Sequence, residues 1–560
     1  MLTAILLISI VLFATAYIFY GKFLDRRFGI SPDNPTPSHT DYDGIDRVPA
    51  KRPVLLGHHF SSIAGAGPIV GPIIAAVAFG WLPALLWVIA GSIFIGGVHD
   101  FSALAASIRH KARSIAEIAR EHMSSLSFKL FLVFIWMLII YIIVVFADLT
   151  SATFIQDQGV ATSSLMFMAL AIGFGISVYR LKLSVLKASL IFVPLVFIGA
   201  WAGQLLPLNL QAIPFLAGFD PALVWGIILI AYCYIASTTP VWILLQPRDY
   251  LSSYLLYASV LSGLLGIVFG GFAVQYPAFT GWYAPQVGSL FPILFITIAC
   301  GACSGFHAVV ASGTSSKQLD KETDVRTIGY GAMLIEGLVA VIAIITVAMI
   351  VKGGDLSSKP PLVIYGMGIG KFLKTFGIPE NLGYSFGLLA LSTFILTTLD
   401  TTTRLGRYIF EELFLIKDPK YRYLSTLATI ALPVVFLFVK FHDNMGNPVP
   451  AWKAIWPVFG ATNQLLAGLT LLVIFVWLKK EEKKAGFVII PMAVMIIMTL
   501  WALILLIGDY GFSAIGIVAM MLLLLALVLI IETIRIVAFT SRQKPVGKVY
   551  QITREEEKVS

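Results

Sequence analysis

Long apolar runs, most of them about twenty residues or more, recur along this chain and are separated by shorter polar stretches. An α-helix rising about 1.5 Å per residue needs a run of that length to cross the hydrocarbon core of a bilayer. Fifteen segments fit: 2–22, 57–79, 81–107, 128–149, 161–179, 184–207, 222–245, 251–275, 289–312, 327–351, 384–402, 423–440, 454–478, 487–508 and 512–540. A large soluble core would interrupt such runs with polar helix faces. The pattern predicts an all-α polytopic membrane protein of about 15 transmembrane helices. The longest polar stretches are 23–56 and 352–383, and 113–124 reads as a short surface helix. The chain divides into a first helix and cytoplasmic loop (1–56), a core (57–478), and a last pair of helices with a basic cytoplasmic tail (479–560).

Charge supports this alternation. With the N-terminus outside and the C-terminus in the cytoplasm, the inner segments carry 33 of the 39 Lys and Arg residues. That is the asymmetry by which cytoplasmic loops retain positive charge. It also accounts for the net charge of +9 without invoking nucleic acid. Composition agrees: 58% of residues are hydrophobic, only 12% are charged, and mean hydropathy is +0.90. Soluble domains are about a quarter charged. Residues 1–24 read as a retained first span, with no small-residue cleavage site evident. Cys300 and Cys303 have the spacing of a redox or zinc pair, but with Cys233 they read as buried small residues because no second pair completes four ligands.

Two spans are interrupted alike. Gly65-Ala66-Gly67-Pro68 followed by Gly71-Pro72 falls in 57–79, and Gly301-Ala302-Cys303-Ser304-Gly305 falls in 289–312. Proline lacks a backbone donor and glycine unwinds at little cost, so both spans are expected to break. Close helix packing is the other use of such glycines. Broken backbone is tolerated at membrane depth where protein or a water-filled cavity surrounds it. The two spans run in opposite directions, as in an inverted repeat.

Ionisable groups inside spans are costly and commonly face a cavity or a partner. They occur here as His58-His59 with Ser61-Ser62, as His99-Asp100, as Ser304-Gly305-Phe306-His307, and as Asp400 within Thr397-Thr398-Leu399-Asp400-Thr401. A His/Asp set suits a proton relay, with His59, His99, Asp100, His307 and Asp400 as its members. The same chemistry could hold a transition metal on His58, His59, His99, Asp100 and His307. A purely structural role, capping helix ends at the interface, is a third reading. Thr397, Thr398 and Thr401 could complete a sodium site beside a broken helix, or bond back to their own helix. Pro240 should kink span 222–245, and Gln246 and Arg248 open the following loop; these read as gate or hinge elements. No Gly-Lys-Ser/Thr phosphate loop or His-Glu-x-x-His pair appears, so an ATP-driven pump, an intramembrane zinc protease and enzymes generally are disfavoured, and no organic cofactor is implied.

The segments LLGHHFSSIAGAGPIVGPIIAA (55–76), IGGVHDF (95–101), QPRDYL (246–251), ITIACGACSGFHAVVASGT (296–314), TTLDTTTRLGRYIFEEL (397–413) and WPVFGATNQLLAG (456–468) closely resemble the carbon starvation protein A (CstA) family. The resemblance spans about residues 48–478. It implies a bacterial inner-membrane transporter of peptides or pyruvate, coupled to protons, with the LeuT-like inverted repeat of the amino acid–polyamine–organocation superfamily. Its substrate would be a small carboxylate or peptide, its other partners a coupling ion and the lipid bilayer. If both spans break as expected, two positive helix N-termini converge near the midplane, an arrangement that suits a carboxylate. Ser61, Ser62, Gly65, Gly67, Pro68, Ser304 and Gly305 would then frame the substrate. The alternative is a membrane sensor or metal-binding protein using the His/Asp set.

Overall fold

A computed structural model of the chain describes residues 1–44, 47–240, 243–285, 287–416, 418–442 and 448–540, so the basic tail expected at 541–560 lies outside the described residues. The protein is a helical bundle, with two antiparallel two-residue ladders, Tyr283–Ala284 with Gly288–Ser289 and Phe441–His442 with Pro448–Val449. Among the described residues 12 helices are long and apolar enough to span a bilayer, or 13 when Arg52–Ile63 and Gly67–Phe79 are taken as one span bent by 46°. This is fewer than the fifteen expected. Segment 289–312 is divided into Leu290–Thr297 and Gly305–Val310, pieces too short to count. Segment 423–440 yields the helix Arg422–Leu437, of 16 residues.

Other boundaries moved for local reasons. The helix Pro221–Thr238 stops before Pro240 instead of kinking at it, and Gln246 and Arg248 lie in the first turn of Leu245–Phe269 instead of a loop. Pro247 fits there because the first turn has no partner for its missing N–H. The polar stretch 352–383 contains a helix, Pro361–Lys374. It folds back on Glu380–Leu413 through paired glycines: an ideal Cβ at Gly383 would lie 2.9 Å from Gly370 Cα, and one at Gly387 3.2 Å from Gly366 Cα. Lipid tails are as apolar as leucine, so close backbone approach through small residues drives such pairs more than apolar burial does. The surface helix forms at Ile115–His122, started by a capping box between Ser114 and Glu117.

Burial sorts the bundle into centre and rim. The apolar stretch of Ala451–Lys480 is 94% buried, whereas that of Val185–Leu205 is 22% buried. Ala451–Lys480, Glu322–Ala348, Glu380–Leu413 and Ser125–Gln156 form the centre, and the two broken segments lie among them.

Candidate functional site

The first break is Ala64-Gly65-Ala66, between Arg52–Ile63 and Gly67–Phe79. Pro68 opens the second half, where its absent N–H costs nothing, and Pro72 lies one turn further on. The break is polar on the side of Glu380–Leu413. Thr398 donates its hydroxyl to the Ser62 carbonyl at 3.2 Å, and an ideal Cβ at Gly65 would lie 2.9 Å from Thr398 Oγ1. Ser62 donates to the His58 carbonyl, and His59 Nδ1 contacts Ser315 Oγ at 2.7 Å. Ser61 Oγ, His59 Nε2, Thr401 Oγ1 and Thr402 Oγ1 are enclosed without a hydrogen-bond partner.

The second break runs through 298–304, with Gly301 at φ 41°, a conformation that favours glycine. Two neighbouring side chains of Ala451–Lys480 hold it. Gln464 Nε2 lies 3.0–3.3 Å from the carbonyls of Phe295, Ile298, Ala299 and Cys303. Asn463 Oδ1 accepts the Phe306 N–H at 2.9 Å, and its Nδ2 donates to Ser304 Oγ at 3.0 Å. A buried helix N-terminus needs such acceptors, and Asn463 supplies one.

The breaks touch each other. An ideal Cβ on Gly67 would lie 2.2 Å from Cys300 Cβ and 2.3 Å from its Sγ, while one on Gly301 would lie 3.3 Å from Pro68 Cα. Protein therefore fills the space between them. Ser304 is engaged by Asn463, and Gly305 packs against Leu466 and Ala467. The expectation of two open N-termini flanking a substrate is corrected here: the second is capped by a side chain.

Beside the second break lies a buried chain of ionisable groups. Asp100 joins two imidazoles, Oδ1 to His99 Nδ1 and Oδ2 to His307 Nδ1, each at 2.7 Å. His307 Nε2 sits 3.2 Å from Glu336 Oε2, and Glu336 Oε1 lies 3.4 Å from the Gly301 amide. None of these four side chains is more than 1% exposed. An ionised Asp100 only accepts, so each Nδ1 carries hydrogen. His307 Nε2 and Glu336 Oε2 stand at ion-pair distance, but neither atom takes part in a hydrogen bond. The π-turn Ser92–Gly96 precedes His99, and Tyr330 donates to the Ile93 carbonyl within it at 3.2 Å. Ser92 in the same turn donates to the Gly301 carbonyl.

Asp400 is apart from this chain. Arg248 pairs with it, and Tyr232 donates to the same carboxylate oxygen at 2.7 Å. His58 Nδ1 meets Asp249 at 3.1 Å. A vestibule of about 1030 Å³ reaches His58 and Thr401 from one end of the bundle, past Pro240 and Gln246. Arg180, Lys317, Arg404, Arg407 and Arg422 line it against two acids, Glu411 and Asp418. Its lining residues Thr401 and His58 each lie about one helical turn from Thr398 and Ser62 respectively.

The family model described as carbon starvation protein CstA matches residues 1–361 and 354–502. The chain belongs to this family. Among relatives of this CstA-family chain, the peptide transporter CstA of Escherichia coli K12 is 30% identical over 567 residues, covering 89% of this chain and 80% of that protein. The pyruvate/proton symporter BtsT of the same organism is 29% identical over 581 residues, covering 89% and 81%. Among solved structures, a mutant manganese transporter of Eremococcus coleocola aligns with a TM-score of 0.45 and 15% identity, covering 89% of this chain and 99% of that one. The relatives are transporters and not enzymes, as expected of this multi-pass membrane protein.

Of the residues singled out in sequence, the CstA-family fold brings His99, Asp100 and His307 into one chain, and Ser62, Gly65 and Thr398 into one contact. Thr397 bonds back to the Thr393 carbonyl. The alternative metal set is not gathered: among the described residues, His58, His59, His99, Asp100 and His307 supply no three ligand atoms close enough to share an ion. Glu336, Asn463 and Gln464 were missed. Glu336 had a signal, being the one acid in the apolar run 327–351. Asn463-Gln464 stands inside the quoted motif at 456–468.

Proposed function

We propose that this chain is a secondary active transporter importing a small carboxylate, pyruvate or a short peptide, by alternating access on a LeuT-like inverted repeat. It works in a bacterial inner membrane, with its N-terminus outside and its C-terminus cytoplasmic. The observation carrying this reading is the vestibule, whose five basic side chains against two acids favour an anion and whose lining includes His58, one turn before the Ser62 of the first break. Under the positive-inside arrangement it opens to the cytoplasm, so the conformation is inward-facing. Ser61, Ser62, Gly65 and the N-terminal turn at Gly67-Pro68 receive the carboxylate, and Pro240, Gln246 and Arg248 belong to the inner gate. Ser304 and Gly305 support the site from behind.

Coupling is to protons, carried by His99, Asp100, His307 and Glu336. Supporting this are the buried run of titratable side chains from His99 to Glu336 and the name of the pyruvate/proton symporter relative. His59 lies one turn from the first break, and Asp400 is a release group held by Arg248. Uptake into proteoliposomes tests the reading: a panel of pyruvate, other small acids and short peptides, with an inward pH gradient and no sodium. Uptake of none of them, with purified folded protein, refutes it. Sodium is the second reading, favoured by the Thr398 hydroxyl on the Ser62 carbonyl, with Thr401 near by. Under it a sodium gradient alone drives uptake and Thr398→Ala abolishes it.

A further inference from the structure

Away from the vestibule, His110 ends the Gly97–Arg109 helix and His122 ends the Ile115–His122 helix, bringing two imidazoles together edge-to-face with their planes at 86°. Their Nε2 atoms are 2.8 Å apart, and a Glu121 carboxylate oxygen joins them so that all three ligand atoms lie within 4.8 Å of one another. Among the described residues no other such triad of His, Cys, Asp and Glu forms. The geometry points to a binding site for a zinc-like divalent transition metal on His110, Glu121 and His122, independent of the transport reading.

Each ligand is prepared for the role. His110 Nδ1 lies 2.7 Å from the Ala106 carbonyl. A carbonyl only accepts, so hydrogen sits on Nδ1 and the Nε2 lone pair points at His122. An imidazole hydrogen-bonded through its far nitrogen to a carbonyl is the usual support of a metal-bound histidine. His122 is 8% exposed, so its ring is enclosed at the site. Trp477 packs edge-to-face on His110 with ring centroids 5.2 Å apart, which fixes that ring. Two Zn–N bonds of about 2.0–2.1 Å at a tetrahedral angle separate the nitrogens by about 3.3 Å. The pair therefore opens by roughly 0.5 Å on loading, within the reach of small rotations about the side-chain bonds. Glu121 Oε2 is bound to Arg113 at 2.9 Å, so the carboxylate contributes through its other oxygen or by leaving Arg113. Lys480 lies near enough to repel a cation, and Glu121 offsets it. Three protein ligands leave a fourth position for water. The metal would tie the end of the helix bearing His99 and Asp100 to the surface helix beyond it.

The test titrates purified full-length protein with Co2+, then displaces it with Zn2+. The expected result is one Co2+ per chain, with the intense visible bands of tetrahedral coordination, lost on adding Zn2+. Affinity should fall at least tenfold in His110→Ala and in His122→Ala, and be unchanged in His39→Ala and His442→Ala. His122→Gln, closer in size, covers the case in which the alanine variants fail to fold. Independently, Zn2+ should raise the Tm of the wild-type protein. No tetrahedral spectrum in the wild type, or the same spectrum in folded His110 and His122 variants, overturns the assignment.

Discussion

Gly67 packs directly on Cys300 where the two broken spans meet, and its substitution makes a graded forecast. Gly67→Ala places a Cβ 2.2 Å from Cys300 Cβ and 2.3 Å from Sγ, against 3.5 Å from Cys300 Cα. Ordinary carbon contacts lie near 3.5–4.0 Å, so the halves must part by about 1.3 Å or more. Overpacking of that kind costs about 1–3 kcal/mol. Cys300→Ala removes the sulfur and keeps the Cβ, so it does not relieve the clash. Cys300→Gly removes both, leaving the new methyl in normal contact with Cα, at about 0.5–1 kcal/mol for the added backbone freedom. The expected order of Tm is wild type, then Gly67→Ala/Cys300→Gly, then Gly67→Ala/Cys300→Ala, with the single Gly67→Ala near the last. The coupling between Gly67→Ala and Cys300→Gly should be favourable by about 1–2 kcal/mol in a double-mutant cycle. Thermal unfolding in detergent reads the stability, and substrate counterflow in proteoliposomes should follow the same order. Equal rescue by Cys300→Ala, or a silent Gly67→Ala, would refute the argument that the breaks are locked by contact.

Three further outcomes follow from the same geometry. Gln464→Leu leaves the carbonyls of Phe295, Ile298, Ala299 and Cys303 without its amide, and should destabilise the protein by about 1–3 kcal/mol; an unchanged Tm contradicts the stapling role. Arg248→Ala strands the buried Asp400 carboxylate at a cost of about 3–5 kcal/mol, most of it recovered in Arg248→Leu/Asp400→Leu, and a double variant no better than the single counts against a buried pair. Glu336→Gln keeps the shape and forbids the titration, so pH-driven uptake should collapse while counterflow at equal pH persists; unaltered pH-driven uptake removes Glu336 from the relay.

Both broken spans were visible in sequence because the cause is covalent: proline removes a donor and glycine removes a Cβ, whatever surrounds them. What satisfies the broken backbone was not visible. Asn463 and Gln464 reach it from more than 150 residues away, and a polar pair in an apolar span carries no address. Glu336 was hidden for the same reason, since its partners, His307 and the Gly301 amide, arrive from the second broken span. The span count ran high because hydropathy scores a stretch without regard to whether its helix is continuous, as at 289–312. The helix Pro361–Lys374 was read as loop because its Gly and Lys residues dilute the apolar signal that paired glycines make up for in packing.

The Gln464 amide has two hydrogens shared among four carbonyls, and its neighbour Asn463 grips the next turn of the same broken span. A segment held that way has no private hinge. Moving 290–310 apart from Ala451–Lys480 would break all of these hydrogen bonds together. The 52–79 span is held by more scattered grips: the Thr398 hydroxyl on the Ser62 carbonyl, the His59–Ser315 and His58–Asp249 contacts, and Gly67 packed on Cys300. The two breaks are alike in sequence but unlike in their anchorage: one is gripped by two adjacent side chains of a single helix, the other by contacts scattered over several elements.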